Sequence, residues 1–392
     1  MNASNARVLL VHNAYQHRGG EDSVVEAEME LLRDHGHAVE FYGRDNDEVT
    51  DASRLSLACQ TLWSARTGED VQRLIADFKP DLIHVHNTFP LISPSLFWAA
   101  SRARVPVVQT LHNFRLLCPQ AMFLREGKVC EDCKGHVPLP AVVHGCYRGS
   151  RAATAVLGGM LSLHRMLGTW NNRVTRYIAL NDFCRQKFIE GGLPAERIVL
   201  KPNFVDFATP TAKVRGGFLF VGRLSAEKGI AVLMDAVRLA PELSLRVAGS
   251  GPQADLLATQ PAVRTLGALN SEGVRNEMSG ALALVLPSIW YENFPRTIVE
   301  AFGCGLPVIA SRLGALAEIV EDGVTGLLFE AGNECDLAEK MRWAQAHPER
   351  MLEMGRAARL EYETRYTANK NYEILMKIYS EAMVAEHAYA QG

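Results

Sequence analysis

The sequence of 392 residues contains no run approaching the roughly 18 consecutive apolar residues that span a bilayer. It also contains no G-x-G-x-x-G, which excludes the dinucleotide fingerprint expected of a dehydrogenase. There is no low-complexity tract and no internal sequence repeat. A leader peptide is not apparent: Met1-Asn2-Ala3-Ser4-Asn5-Ala6-Arg7 runs directly into Val8-Leu9-Leu10-Val11, which reads as a buried first strand. The expected location is therefore the cytoplasm, where disulfides are rare. A large excess of one charge is missing too, since 41 Lys+Arg face 44 Asp+Glu, and a nucleic-acid partner is not expected.

What is present is an ordinary globular composition, 48% hydrophobic and 22% charged, in a chain long enough for two domains. The near-zero net charge conceals an asymmetry. Residues 102 to 201 hold 15 Lys+Arg and 6 Asp+Glu, leaving the rest of the chain strongly acidic. Such a basic block suits an anionic partner, a lipid headgroup or a phosphate-bearing acceptor, or else a solvated basic face.

Short apolar runs alternate with helical periodicity. Val8–Val11, Ala38–Tyr42, Leu82–Val85, Val105–Leu111 and Arg176–Leu180 read as strands, with a helix over Glu21–Gly36 after the first. The scheme returns at Phe218–Val221, Ser244–Ala248, Ala281–Leu286 and Val308–Ser311. Strands of this kind predict an α/β fold with parallel sheets covered on both faces. Phe204–Gly217, with Pro210 and Gly216-Gly217, is the expected linker. The predicted domains are 1–203, with a cysteine-rich insertion at about 113–150, and 204–365. A helix over 366–392 is expected to pack back on the first domain. Two doubly wound halves place a cleft at the C-terminal ends of both sets of strands.

The chemistry-bearing residues sit at predicted strand ends. Glu292-Asn293-Phe294-Pro295-Arg296-Thr297-Ile298-Val299-Glu300 carries two carboxylates on either side of a helix start. A loop acid, backbone N–H groups and a helix acid suit a nucleotide-sugar: sugar hydroxyls, phosphates and ribose diol in turn. Gly222-Arg223-Leu224-Ser225-Ala226-Glu227-Lys228-Gly229 offers two cations at another strand-to-helix turn. Gly249-Ser250-Gly251-Pro252 and Gly19-Gly20-Glu21-Asp22-Ser23 are turns whose glycines would admit a ligand to the backbone, or plain turns, the second capped by its serine. His112 ends a predicted strand and would overhang the cleft. His84 reads as packing and His86 as a cleft residue. Asp45-Asn46-Asp47 is formally a D-x-D but reads as a turn, and no catalytic metal is expected.

On these motifs the chain resembles glycosyltransferase family 4, the retaining GT-B enzymes, over nearly its whole length. The most specific stretches are Glu292–Ala310, then Gly222–Gly229, then Glu318–Gly326. The resemblance implies two Rossmann-like domains facing each other across a cleft. It implies Arg223 and Lys228 on the donor diphosphate, Glu300 on the ribose, and Glu292 with the amides of Asn293, Phe294 and Arg296 on the transferred sugar. Thr297 would turn a helix start toward phosphate, Gly222 and Gly251 would line the donor, and Gly20 would approach the diphosphate from the other domain. His112 would contact the sugar and stabilise positive charge building at the anomeric carbon. Pro295 departs from the glycine usual there and removes one N–H donor. The implied activity is transfer from a UDP-sugar, or next GDP-mannose, to a glycan or lipid-linked glycan, with no cofactor required. A GT-B epimerase and a non-catalytic sugar-nucleotide-binding protein are the rival readings.

Cys118, Cys130, Cys133 and Cys146 fall close together, with His136 and His144 between. The C-x-x-C admits a structural zinc site or a set of reduced thiols. Gly149–Leu167 reads either as a core helix or as a helix resting at the inner face of a membrane, beside Arg148, Arg151 and Arg165.

Overall fold

The structure is a computed structural model that describes residues 5–14, 19–46, 54–206 and 214–391. Asp47 and residues 207–213 of the expected linker lie outside the described residues. The chain begins β1 (Arg7–Ala14), α1 (Gly20–Asp34), β2 (Ala38–Asp45), α2 (Arg54–Leu62), α3 (Ala65–Phe78), β3 (Leu82–Asn87), α4 (Ser95–Arg102) and β4 (Val107–Thr110). It continues β5 (Leu124–Arg125), β6 (Lys128–Val129), α5 (Leu139–His144), α6 (Arg151–Met166), α7 (Thr169–Asn172), β7 (Arg176–Ala179), α8 (Asp182–Glu190) and β8 (Ile198–Leu200). Next come β9 (Phe218–Val221), α9 (Ile230–Leu239), β10 (Leu245–Ala248), β11 (Val263–Gly267), α10 (Ser271–Ser279), β12 (Ala283–Leu286), α11 (Arg296–Gly303) and β13 (Val308–Ser311). The last elements are α12 (Ala315–Ile319), β14 (Gly326–Phe329), α13 (Glu334–Ala346), α14 (Pro348–Arg365) and α15 (Ala368–Gln391).

Two compact units result. One holds Met1–Met122, Glu131–Pro202 and Asn371–Gly392; the other holds Phe123–Cys130 and Asn203–Lys370. The first unit is built on a sheet of order β2-β1-β3-β4-β7-β8, every pairing parallel. Val8 to Val11 are fully buried, as continuous apolar runs in a two-faced parallel sheet should be. In the last helix, Leu375, Ile378, Tyr379, Ala382 and Met383 recur at helical spacing. They bury against Ala6, Val8, Leu32, Leu82, Val108 and Ile178, so α15 completes this unit's core.

The second unit repeats the scheme with the order β11-β10-β9-β12-β13-β14, again all parallel. Phe218 and Phe220 of β9, Leu233 and Val237 of α9, and Leu337 and Met341 of α13 share its core. Gly229 joins the loop after β9 to α9 at φ +73°, and a Cβ there would stand 1.8 Å from the Pro287 carbonyl oxygen. Only glycine permits that approach. Ile289 N–H also donates to the Glu227 carbonyl at 3.0 Å, so the loops after β9 and β12 are locked together.

Sequence periodicity misses β8, β11 and β14. The first has three residues, and β11 is an edge strand whose Arg264 and Thr265 are exposed, so neither shows a clean apolar run. The helix after Glu292 begins at Arg296, one residue before the expected Thr297, with Pro295 at its N-cap. Fixed φ makes proline well suited to a helix entry, where an N–H would have no intrahelical acceptor.

Candidate functional site

In the second unit, the locked loops put Lys228 against Glu292. Lys228 Nζ lies 2.6 Å from Glu292 Oε1. Ser288 Oγ donates to the same oxygen at 2.7 Å and Trp290 Nε1 at 3.1 Å. Three donors thus converge on one carboxylate oxygen, while among the described residues none reaches Oε2. The Lys228 ammonium also stands 5.6 Å from the centre of the Trp290 ring. Glu292 is buried, whereas the Lys228 side chain keeps a quarter of its surface exposed. A buried carboxylate that is charge-paired yet keeps an oxygen open is a hydroxyl acceptor held in place.

The other donor residues expected in this unit lie in the loops after β9, β10 and β12 and in α11. Arg223 is exposed at the loop after β9. Asn293 is buried, and Phe294 stands 6.2 Å from the Tyr366 ring. Arg296 and Thr297 open α11, and Arg296 lies 3.8 Å from Glu300 one turn on. Burial pushes the Glu300 carboxyl above its ordinary value, against the pull of Arg296 and Arg275. Gly222 pairs through its N–H with the Ala248 carbonyl at 3.0 Å. Gly251 has a reason unlike the expected one. Its Cβ would meet the Leu224 carbonyl oxygen at 2.4 Å, so the glycine serves the approach of two loops of the chain itself.

The first unit gathers a buried polar cluster at the C-terminal ends of β1, β3 and β4. Glu28, on the inner face of α1, is 1% exposed. Its Oε2 lies 2.9 Å from Lys201 Nζ, and its Oε1 lies 2.9 Å from His84 Nδ1 and 3.5 Å from His86 Nε2. Asn371 Oδ1 accepts from the Lys201 ammonium at 3.1 Å. His84 also meets Tyr379 and Thr110 hydroxyls at 2.7 and 2.8 Å. His86 Nδ1 is 2.8 Å from Nε2 of His112, the residue expected to touch the sugar, and their rings stack at 5.1 Å. His12 Nε2 meets Asp22 at 2.8 Å, and Asp22 accepts from the Gly19 N–H at 2.7 Å. The start of α1 at Gly20 is therefore capped by Asp22, not by Ser23 as expected. Both His84 and His86 are buried in the network, so the division into a packing and a cleft histidine does not hold.

Burial alone would raise the Glu28 carboxyl, but Lys201 and His84 outweigh it and hold the group well below the ordinary range. Burial, with His84 beside it, depresses His86 to about 3. Burial and His86 depress His112 well below its ordinary value. Burial also lowers His37 and His164. For each histidine the unfolded chain takes up a proton near its ordinary pKa while the folded chain does not. More protons are then bound in the unfolded state, so stability falls as pH drops. We expect the denaturant midpoint to decline from about pH 6.5 downward; a midpoint flat between pH 7 and 5 would contradict this assignment.

Sequence reasoning missed Glu28, Lys201, His12, Ser288 and Trp290. Glu28 did leave a signal: it occupies the apolar face of α1 in step with Val24, Leu31 and Leu32, where a lone carboxylate needs a partner. Asn46 is tied to the Asn13 amide at 2.8 Å beside the end of β2, while Asp47 lies outside the described residues.

The zinc reading of the cysteines is corrected. Among the described residues, the one group of three or more His, Cys, Asp or Glu with ligand atoms within 4.8 Å is Glu28, His84 and His86. Cys130 falls in the second unit, whereas Cys118, Cys133 and Cys146 fall in the first, and all are thiols. At Glu28 the Lys201 ammonium already supplies the positive charge. The helix expected over Gly149–Leu167 is α6. One face, with Leu157, Met160 and Leu161, is core, while Leu163, Met166 and Leu167 are exposed. Among the described residues no helix is long and apolar enough to cross a membrane. Beside α6 a cavity of about 480 Å³ is lined by Phe89, Pro90, Tyr147, Arg148, Val156 and Leu157.

Both halves of the chain are similar to known proteins. Residues 18–209 match the model of Glycosyltransferase Family 4, and residues 207–361 that of Glycosyl transferases group 1. The glycogen synthase of Mycobacterium tuberculosis is 31% identical over 356 residues, 80% of this chain and 77% of that protein. The alpha-maltose-1-phosphate synthase of Mycolicibacterium smegmatis is 32% identical over 183 residues, 41% of this chain and 47% of that protein. The chain spans about half the length of several such curated relatives: 47%, 54% and 42% of three of them. Among solved structures, Anabaena HepE in complex with UDP has a TM-score of 0.67 at 19% identity, covering 95% of this chain and 100% of that one.

Proposed function

The chain belongs to the group 1 and family 4 glycosyltransferases, of GT-B fold, and we propose that within them it is a retaining hexosyltransferase that uses a nucleotide-diphospho-sugar. A UDP-sugar is favoured, with GDP-mannose next; the UDP in the HepE structure supports that order. The observation that carries the reading is the Lys228–Glu292 pair, built where two strand-end loops lock together.

Glu292 Oε2 accepts a hydroxyl of the transferred sugar, while Ser288, Trp290 and Lys228 hold Oε1. The ammonium has three N–H donors, so Lys228 can pair with Glu292 and still face the diphosphate with Arg223. Glu300, kept uncommitted by its weak 3.8 Å contact with Arg296, takes the ribose hydroxyls. Gly222, Gly251 and the backbone at Asn293, Phe294, Arg296 and Thr297 line the donor; Gly20 and His112 are the substrate-binding residues assigned to the first unit. In the reaction the bond from the anomeric carbon to the diphosphate breaks, and its electron pair stays on the leaving oxygen. Lys228 and Arg223 stabilise that charge. The acceptor hydroxyl attacks the same face, and its proton passes to the leaving phosphate oxygen, so no protein base is needed. The acceptor is a glycan or lipid-linked glycan of surface polysaccharide assembly, met by a protein acting in the cytoplasm at the inner membrane face. The largely apolar cavity with Arg148 at its wall and the basic segment 102–201 support an acceptor with an apolar part and phosphate.

A donor panel tests this. Each nucleotide-sugar is incubated with the protein, with and without lipid-linked glycan acceptors, and released nucleoside diphosphate and product anomer are measured. Acceptor-dependent release with retention is expected. An epimerised nucleotide-sugar without acceptor dependence would establish the epimerase instead, and binding without turnover the non-catalytic module.

A further inference from the structure

The cluster beneath His112 has a direction built into it. Glu28 faces Lys201 with one oxygen and imidazole nitrogens with the other. His86 Nε2 makes no closer polar contact among the described residues than that oxygen at 3.5 Å. Were Nε2 a lone pair, it would point at a carboxylate in a buried site; carrying the proton, it is attracted. The proton on Nε2 makes Nδ1 of His86 the acceptor. The 2.8 Å contact to His112 Nε2 then requires that His112 donate, so its own proton is on Nε2.

We propose that Glu28, acting through His86, is a positioning residue that fixes His112 as the neutral tautomer protonated on Nε2, leaving Nδ1 as a lone-pair acceptor for a substrate hydroxyl. Lys201 is the anchor of the relay, because it keeps Glu28 charged and turned. A metal at Glu28, His84 and His86 is disfavoured on the same ground, since an ammonium stands against that carboxylate. The link to a substrate hydroxyl rests on the transferase reading; the tautomer itself does not.

Glu28→Gln supplies the test, since it inverts the relay. The carbonyl of the introduced amide would stay on Lys201, and its NH₂ would face His86 Nε2. His86 would then carry its proton on Nδ1, His112 Nε2 would accept, and the His112 proton would move to Nδ1. The full-length protein, labelled with isotopic nitrogen in histidine, is read by long-range nitrogen–proton correlation at neutral pH, with a His112→Gln sample for assignment. The native spectrum is expected to show His112 neutral and protonated on Nε2, and the Glu28→Gln spectrum the other tautomer. With an active donor and acceptor, kcat should fall on the order of 10–100-fold at little-changed KM, the scale set by losing a partner that orients a histidine. A native His112 that is an imidazolium or protonated on Nδ1, or a folded Glu28→Gln protein with the proton still on Nε2, overturns the proposal. If the variant does not fold, the native spectrum decides alone. A protein that transfers no sugar would sink the function, but the tautomer would still be read.

Discussion

Glu292→Ala is expected to lower kcat/KM by about 10²–10³-fold, the range seen when one preorganised transition-state contact is deleted. The loss has two parts. The sugar loses its hydroxyl acceptor, and Lys228 loses the carboxylate that holds it 2.6 Å away beside the Trp290 ring. Lys228→Ala should cost a similar factor and leave a buried carboxylate with only Ser288 and Trp290 as donors. The two losses should not add, since each residue holds the other. Steady-state kinetics on the two single variants and the double variant check this. Full activity in both singles would remove the pair from the donor site and with it the assignment of Lys228 to the diphosphate.

Lys201→Met should destabilise the first unit by about 3–5 kcal/mol, because it strands a charge in the interior. Lys201 and Glu28 are each about 1% exposed, and among the described residues the ammonium has Glu28 and Asn371 to satisfy it. The methionine refills most of the volume, so the cost is electrostatic. Adding Glu28→Gln removes the stranded charge and should recover more than half. Hydrogen exchange followed on β1 and β3 reads this locally, which matters in a chain of two units whose unfolding need not be a single transition. A single variant as protected as the native protein would show that the pair is not holding the cluster.

Much of the architecture was legible because buried parallel strands advertise themselves. Val8–Val11 and Phe218–Val221 are uninterrupted apolar runs, and the structure makes them the inner strands of two matching sheets. The loops proposed to hold the donor were legible for another reason: Glu292 and Lys228 are charged residues in the loops that follow strands β12 and β9. What stayed hidden was long-range pairing. Glu28 and Lys201 are 173 positions apart, and Tyr379 reaches His84 across 295. No spacing rule links such residues, so three histidines on adjacent strands read as separate residues rather than as one network. The cysteines show the converse error. Cys118, Cys130, Cys133 and Cys146 are close in sequence, yet among the described residues no three of them bring their sulfurs within 4.8 Å of one another. Gly251 has a further use that its spacing did not show: the Leu224 carbonyl oxygen stands 2.4 Å from where its Cβ would be.

The helix that ends the described chain also sets an order of events during synthesis. Leu375, Ile378, Tyr379 and Met383 belong to the core that Val8 and Leu82 begin, yet some 168 residues of the second unit, Asn203–Lys370, are translated in between. The first unit therefore emerges from the ribosome with an apolar groove open on its sheet, and it must wait, partly formed, while its neighbour folds. A fragment cut near residue 203 would keep that groove exposed to solvent and should be recovered as aggregate, whereas adding residues 371–391 as a separate peptide supplies the missing wall.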